Sequence, residues 1–337
     1  MKKGDQLKVF SGQYEALSEM IHRAWPREHS GYIDFTPAYL RYLIEAPDTD
    51  KQLTLGVYRG NRLISFLLSK KKWVQINGQR YKALLNTLST TEPGEARYFP
   101  YLKIKNQCLD QALVKGFQAS YGFLDYKIKN IEIEQHFARK RHFFGFTVRS
   151  FGNYVKSVKQ DDDPPADSTM YRIRPAQAQD AHQCIHMIEQ AQQSSPMKIM
   201  EKPDLPLLQY WLENKDFNFI YLFEKSGQIC GFIRCEPLHY IRTGEKQKVI
   251  SIKQLFFIHC SPREKQELLK QYCSIINREQ ASVISLPDTG AWDTEMLKAN
   301  GFIKMSFKHM QRYLYLVLFE RPTAEMKNDE NFYLDIV

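Results

Sequence analysis

The two halves of the chain contain the same predicted elements in the same order. Two strands joined by a tight turn, and then a longer strand, are predicted over Leu53–Ser89, and this pattern returns over Phe217–Cys260. A helix, a short strand, a second helix and aromatic-rich strands follow in each half, with Gly145-Phe146 and Gly301-Phe302 at equivalent steps. Duplication on this scale predicts an α/β (α+β) fold of two tandem domains, each a mixed, mostly antiparallel sheet flanked by helices.

The length and one polar segment set the expected domain limits. With 337 residues, the chain can form two domains of about 150 residues, each with a core of its own. Segment 159–170, KQDDDPPADSTM, contains four acids and two prolines and has almost no apolar face to bury. We therefore expect an N-terminal domain over residues 1–158, a linker over 159–170 and a C-terminal domain over 171–337.

Short sequence signals place individual elements within each half. Thr36-Pro37 predicts a helix start, with threonine as the N-cap and proline in the first turn. Asn77-Gly78 predicts a tight turn before the central strand of the first half. Phe146–Val158 predicts the last strand pair of the first half, and Phe302–Phe319 predicts the closing strands of the second.

The charge of the chain favours anionic partners. A formal net charge of +9 and a pI near 9.0 suit nucleic acid, a membrane surface or a phosphorylated cofactor, although an excess of solvated lysines explains the same values. The sequence contains no run of about 18 apolar residues, so it predicts no transmembrane segment.

The six cysteines have no paired spacing, which indicates reduced thiols and a cytoplasmic location. His182, Cys184 and His186 suggest a metal site by their spacing. However, residues two apart on a helix point to different sides, so we expect no metal.

The order of elements resembles the GNAT acyltransferase superfamily and, among its tandem members, the N-myristoyltransferases. Five segments resemble motifs of that family, and they occur in the same order along the chain. In the first half, DFTPAYLR at 34–41 resembles "DYSPEFLxW", LGVY at 55–58 with LISF at 63–66 resembles "hxGVR…LVGFI", and LNTLS at 85–89 resembles "INFLC". In the second half, IRP at 173–175 with Asp180 resembles "LRPMxxxD", and QRYLYL at 311–316 resembles "LQYYLYN".

The resemblance implies an activity and several functional groups. It implies transfer of an acyl group from acetyl-CoA or a longer acyl-CoA, bound by the first half, to an amine of a peptide or small molecule that the second half helps to bind. The backbone N–H groups of Thr87 and Leu88 would form the oxyanion hole. The C-terminal carboxylate, here that of Val337, would be the general base. Segment 331–337 is too apolar for a free tail and is predicted to dock on the protein.

The phosphate-binding loop of the superfamily, Q/R-x-x-G-x-G/A, is not reproduced in either half. The first-half loop, Thr90–Pro100, has one glycine, one arginine and two acids, whereas Ser261–Lys265 in the second half has no glycine. The first loop is a cofactor site or only a connector, and the second is more consistent with a connector. We expect that any acyl-CoA contacts the first half, through Ser89, Thr90, Gly94, Arg97, Tyr98 and Lys103.

Two other functions fit the same fold. Fem-type ligases are also tandem GNAT proteins, and the net charge of +9 would suit the aminoacyl-tRNA that they use, although nucleic acid is the less expected partner. Alternatively, the missing glycines fit a degenerate GNAT pair that serves only as a binding module.

Overall fold

The computed structural model describes residues 4–27, 31–98, 100–125, 128–158, 171–193, 195, 197–277, 279–305, 312–322 and 332–334. The predicted linker over 159–170 and Val337 lie outside these residues. None of the helices in the described ranges is long and apolar enough to cross a membrane.

The described helices and strands alternate along the chain. The helices are α1 (Tyr14–Ala24), α2 (Pro37–Glu45), α3 (Pro100–Val114), α4 (Ile128–Lys140), α5 (Ala181–Gln193), α6 (Leu205–Glu213), α7 (Pro262–Asn277) and α8 (Thr294–Ala299). The strands of the first half are β1 (Asp5–Val9), β2 (Gly31–Ile33), β3 (Leu55–Arg59), β4 (Arg62–Ile76), β5 (Gln79–Thr91), β6 (Ala119–Asp125), β7 (Phe144–Phe151) and β8 (Asn153–Ser157). Those of the second half are β9 (Tyr171–Pro175), β10 (Ile199–Glu201), β11 (Phe219–Lys225), β12 (Gln228–Arg242), β13 (Glu245–Phe257), β14 (Val283–Pro287), β15 (Ile303–Met305), β16 (Arg312–Leu318) and β17 (Phe332–Tyr333).

The strands form two mixed, mostly antiparallel sheets, as predicted. The first sheet has the order β1-β3-β4-β5-β6-β16-β7, with β10 beside β4 and β17 beside β10. The second has the order β15-β8-β14-β13-β12-β11-β9, with β2 beside β12. Parallel pairing occurs between β5 and β6, between β13 and β14, and between β10 and β17.

Each sheet contains strands from the other half of the chain. Strand β8 lies between β14 and β15 of the second sheet, and β16 lies between β6 and β7 of the first. Strands β7 and β8 both form, but they join different sheets instead of the pair expected from Phe146–Val158. The chain crosses between the sheets at Gly152, where a Cβ atom would lie 2.4 Å from the carbonyl oxygen of Met305.

The local signals in the sequence are confirmed by the backbone. The Thr36 side chain accepts a hydrogen bond from the Tyr39 N–H at 3.2 Å, and Pro37 starts α2. Asn77 and Gly78 both have positive φ, at 48° and 84°, as a two-residue turn that matches the strand twist requires.

Candidate active site

The first sheet opens at the end of its central strand. The parallel ladder between β5 and β6 pairs Ala83–Leu85 with Ala119–Tyr121. Beyond it, β5 contains a bulge, because Leu68 pairs with Thr87 whereas Phe66 pairs with Thr90. Leu88 lies in this bulge with φ of 50°, a conformation that a leucine rarely adopts.

The two residues predicted to bind the thioester carbonyl lie at this bulge. Thr87 is half-buried, Leu88 is 6% exposed, and both belong to the strand end beside the opening. A bulge turns backbone N–H groups away from the regular ladder, which is how a strand can direct donors toward a ligand. Whether these two N–H groups bind an oxyanion stays a prediction.

The predicted cofactor residues follow in one continuous segment. Ser89 is exposed and Thr90 buried on β5, Gly94 lies in an exposed turn with φ of 84°, and Arg97 and Tyr98 belong to a 3-10 turn over Ala96–Tyr98. Lys103 is exposed in the first turn of α3. These six residues therefore lie along the connection from the bulge to the first turn of α3.

The two acids of this loop are neutralised by arginines from other elements. Both carboxylate oxygens of Glu92 are bound by Arg23, at 3.1 and 3.3 Å, and Arg62 contacts Oε1 at 2.6 Å. Glu95 forms a two-point pair with Arg59 at 3.0 and 3.2 Å. The first turn of α3 itself contains no acid, so its N-terminus keeps its positive partial charge.

The equivalent helix start in the second half is occupied by a carboxylate of the protein. Glu264 Oε2 accepts a hydrogen bond from the Ser261 N–H at 2.7 Å, while Lys225 and Tyr171 contact Oε1 at 2.5 and 2.7 Å. The hydrogen bond from Lys225, with those from Ser261 and Tyr171, holds the pKa of Glu264 well below its usual value. A permanently charged carboxylate at this position would repel a pyrophosphate. The sequence signal was Ser261-Pro262-Arg263-Glu264, a capping-box pattern that the sequence interpretation missed.

Of the segment 331–337 that was predicted to dock, the structure describes residues 332–334, and these residues (the docked tail) pack on the protein. Strand β17 pairs with β10, and Phe332 and Leu334 are 0% and 4% exposed. The ring of Phe332 lies 6.4 Å from that of Phe123 on β6 and 5.3 Å from that of Phe151 on β7. The docked tail therefore covers part of one face of the first sheet.

The same face contains a buried network of charged groups. Lys72 contacts Glu201 at 2.5 Å and Asp48 at 2.9 Å, Lys70 contacts Asp48 at 3.3 Å, and the Tyr121 hydroxyl donates to Glu201 at 3.2 Å. All five residues are buried. The network joins β4 of the first half to β10 of the second, beside the docked tail.

A pocket in the second half was not predicted from the sequence. The ladder between β13 and β14 ends at Ser251, and the end of β13 then forms one wall of a cavity of about 220 Å³. Met200, Trp292, Met296 and Lys265 line other sides. It continues into a wider groove beside His259, Cys260 and Glu264. These lining residues come from five separate segments, so no single motif could have indicated the pocket.

The three residues on α5 whose spacing suggested a metal site lie on different faces of the helix. Cys184 is buried, whereas His182 and His186 are exposed on the other side of the helix. The described residues contain no group of three or more side chains suited to hold a metal ion.

The fold is similar to those of solved acyltransferases. Saccharomyces cerevisiae N-myristoyltransferase with bound myristoyl-CoA aligns with a TM-score of 0.76 and 10% sequence identity, over 100% of this chain and 86% of that chain. GCN5-related N-acetyltransferases from Anabaena variabilis and Kribbella flavida give TM-scores of 0.59 and 0.57 at 11% and 15% identity, over 94% and 93% of this chain and 73% and 71% of theirs. No family model and no curated protein matches the chain. The protein therefore has the tandem GNAT fold of N-myristoyltransferase.

Proposed function

We propose that the protein is an acyl-CoA-dependent N-acyltransferase, with acetyl-CoA or a longer acyl-CoA as the donor and an amine of a peptide or small molecule as the acceptor. The main support is the pairing, in one half only, of a bulged strand end at Leu88 with an acid-free helix N-terminus at α3. Acyl transfer from CoA needs both features, since one can bind the carbonyl oxygen and the other the phosphates.

The proposed reaction assigns a role to each group. The amine nitrogen attacks the thioester carbonyl carbon, the C–S bond breaks, and CoA leaves as its thiol after taking up a proton. The N–H groups of Thr87 and Leu88 stabilise the oxyanion that forms during the attack. Backbone N–H groups of the Ser89–Tyr98 segment and the charges of Arg97 and Lys103 bind the phosphates, and the carboxylate of Val337 accepts the amine proton.

The donor site is tested by calorimetry with acetyl-CoA and myristoyl-CoA. We expect at least one of them to bind, and Lys103→Gln to weaken that binding about tenfold, because a charge-assisted hydrogen bond to phosphate is lost. Lys298→Gln, which removes an exposed lysine in the second half, is the matched control and should leave donor binding unchanged. Absence of binding by both acyl-CoAs would contradict the proposal. Binding of tRNA that weakens steeply with salt would instead favour an aminoacyl-tRNA-dependent transferase.

The general base is tested by changing the end of the chain. Deleting residues 335–337 removes the terminal carboxylate from its position but keeps the buried Phe332 and Leu334. We expect turnover to fall by at least 100-fold, as for loss of a general base, while acyl-CoA binding stays the same. Extending the chain by four glycines after Val337 should have the same effect, because it moves the carboxylate. Unchanged turnover in either variant would exclude this mechanism.

A further inference from the structure

The pocket of the second half combines aromatic and thioether side chains with polar and charged ones. Phe256, Phe257, Met200, Met296 and Trp292 supply aromatic and thioether surface. An engineered apolar cavity of about 150 Å³ already binds benzene, so a pocket of about 220 Å³ has room for a phenyl-sized group. It is smaller than the roughly 300 Å³ at which pockets for drug-sized ligands begin. Its size therefore suits one bulky side chain.

Three charged side chains lie at the pocket or at its outer groove: Asp293, Glu264 and Lys265. The acid Asp293 is engaged as the N-cap of α8, since its Oδ1 accepts from the N–H groups of Glu295 and Met296 at 3.0 and 3.1 Å. Glu264 at the outer groove is bound by Lys225, as described above. Lys265 is half-buried, and within the described part of the chain its ammonium has no ion pair or hydrogen bond. A ligand would therefore meet the ammonium of Lys265 beside aromatic and thioether side chains, with the N-capping carboxylate of Asp293 on another side of the pocket.

The pocket adjoins the docked tail. Met200 lines the pocket and pairs with Tyr333 in the ladder between β10 and β17. The Phe332 N–H donates to the Thr289 carbonyl at 3.1 Å, two residues before Ala291 on the pocket wall. Because Phe332 also packs against Phe123 and Phe151, the tail connects the pocket with the first sheet.

We propose that this pocket holds a bulky apolar side chain of the acceptor while Lys265 binds a carboxylate of the same molecule. The acceptor is accordingly an amino acid or peptide in which a side chain the size of leucine or phenylalanine stands close to an anionic group. Naming the occupant the acceptor rests on the proposed function, whereas the binding itself does not.

Three probes separate the two contacts: L-phenylalanine, L-phenylalaninamide, which lacks the carboxylate, and L-alanine, which lacks the bulky side chain. Binding is measured by ligand-detected NMR and by tryptophan fluorescence, to which Trp292 contributes from the pocket wall. We expect phenylalanine to bind and the amide and alanine to bind at least tenfold more weakly. Lys265→Gln should bring phenylalanine and its amide to equal affinity. Lys270→Gln, an exposed lysine farther along the same helix, is the matched control and should keep the difference.

A second variant tests the apolar contact. Ala291→Leu fills the pocket and should weaken phenylalanine binding at least tenfold without changing acyl-CoA binding. The proposal is overturned if the probes bind equally, or if none binds to a protein that still binds acyl-CoA. If the probes show the expected pattern and no acyl-CoA binds, the pocket assignment stands and the proposed acyltransferase function fails.

Discussion

At the scale of single residues, the protein buries a network of opposite charges between its halves. Burial alone would raise the pKa of Asp48, but the ammonium groups of Lys70 and Lys72 outweigh it and lower the value from 3.8 to about 2. Removing one partner of such a pair leaves the others uncompensated, which typically costs about 3–5 kcal/mol. We therefore expect single substitutions in this network, at the contact between β4 and β10, to be strongly destabilising.

The low pKa of Asp48 predicts a loss of stability in acid. Because its folded pKa lies below its unfolded value, the charged form adds about 2 kcal/mol above pH 4, and this contribution is lost as the pH falls from about 4 to 2. Urea unfolding between pH 7 and pH 2.5 measures it. Asp48→Asn should be less stable at pH 7 and should lose less stability in acid. Glu295→Gln, an exposed acid, is the control, and identical pH profiles for Asp48→Asn and the wild type would refute the assignment.

At the scale of elements, local chemistry predicted the turns and caps but not the sheet partners. Thr36-Pro37 and Asn77-Gly78 encode their own backbone geometry, so the sequence was sufficient there. Alternation of apolar residues encodes which face of a strand is buried, but not which sheet receives it. The exchange of β8 and β16 therefore could not be inferred. The bulge at Leu88 was equally hidden, because no glycine marks its positive φ.

Gly152 provides a test of the strand exchange. A Cβ atom there would lie 2.4 Å from the backbone oxygen of Met305, so Gly152→Ala must shift β8 or β15. We expect a loss of about 1–3 kcal/mol of unfolding free energy, as for other overpacked sites. Ser157→Ala, at the exposed end of the same strand, should change stability by less than about 0.5 kcal/mol. Stability is measured by urea unfolding. Equal stability of the two variants would contradict the close packing of Gly152 against Met305.

At the scale of the whole molecule, the two halves have the same order of elements. They differ in the charge at the N-terminus of the helix that follows the central strand. The N-terminus of α3 has no acid, and the acids before it are paired with arginines, whereas α7 begins with the capping carboxylate of Glu264. The second half instead contains the pocket beside Lys265. This difference supports a division into a donor half and an acceptor half. The resemblance implied such a division, but the sequence did not supply the physical reason for it.

The exchanged strands also predict that the two halves unfold as one unit. Without β16, β6 and β7 of the first sheet lose their common partner, and without β8, β14 loses its antiparallel neighbour. Trp25 and Trp73 belong to the first half of the sequence and Trp211 and Trp292 to the second, and Trp25 and Trp211 pack in a core cluster that both halves share. Urea unfolding of two variants, each with one tryptophan pair changed to phenylalanine, should therefore give coincident transitions. Fragments 1–158 and 171–337 should each be unstable alone and regain native circular dichroism when mixed. Separate midpoints, or a fragment that folds cooperatively by itself, would contradict this interdependence.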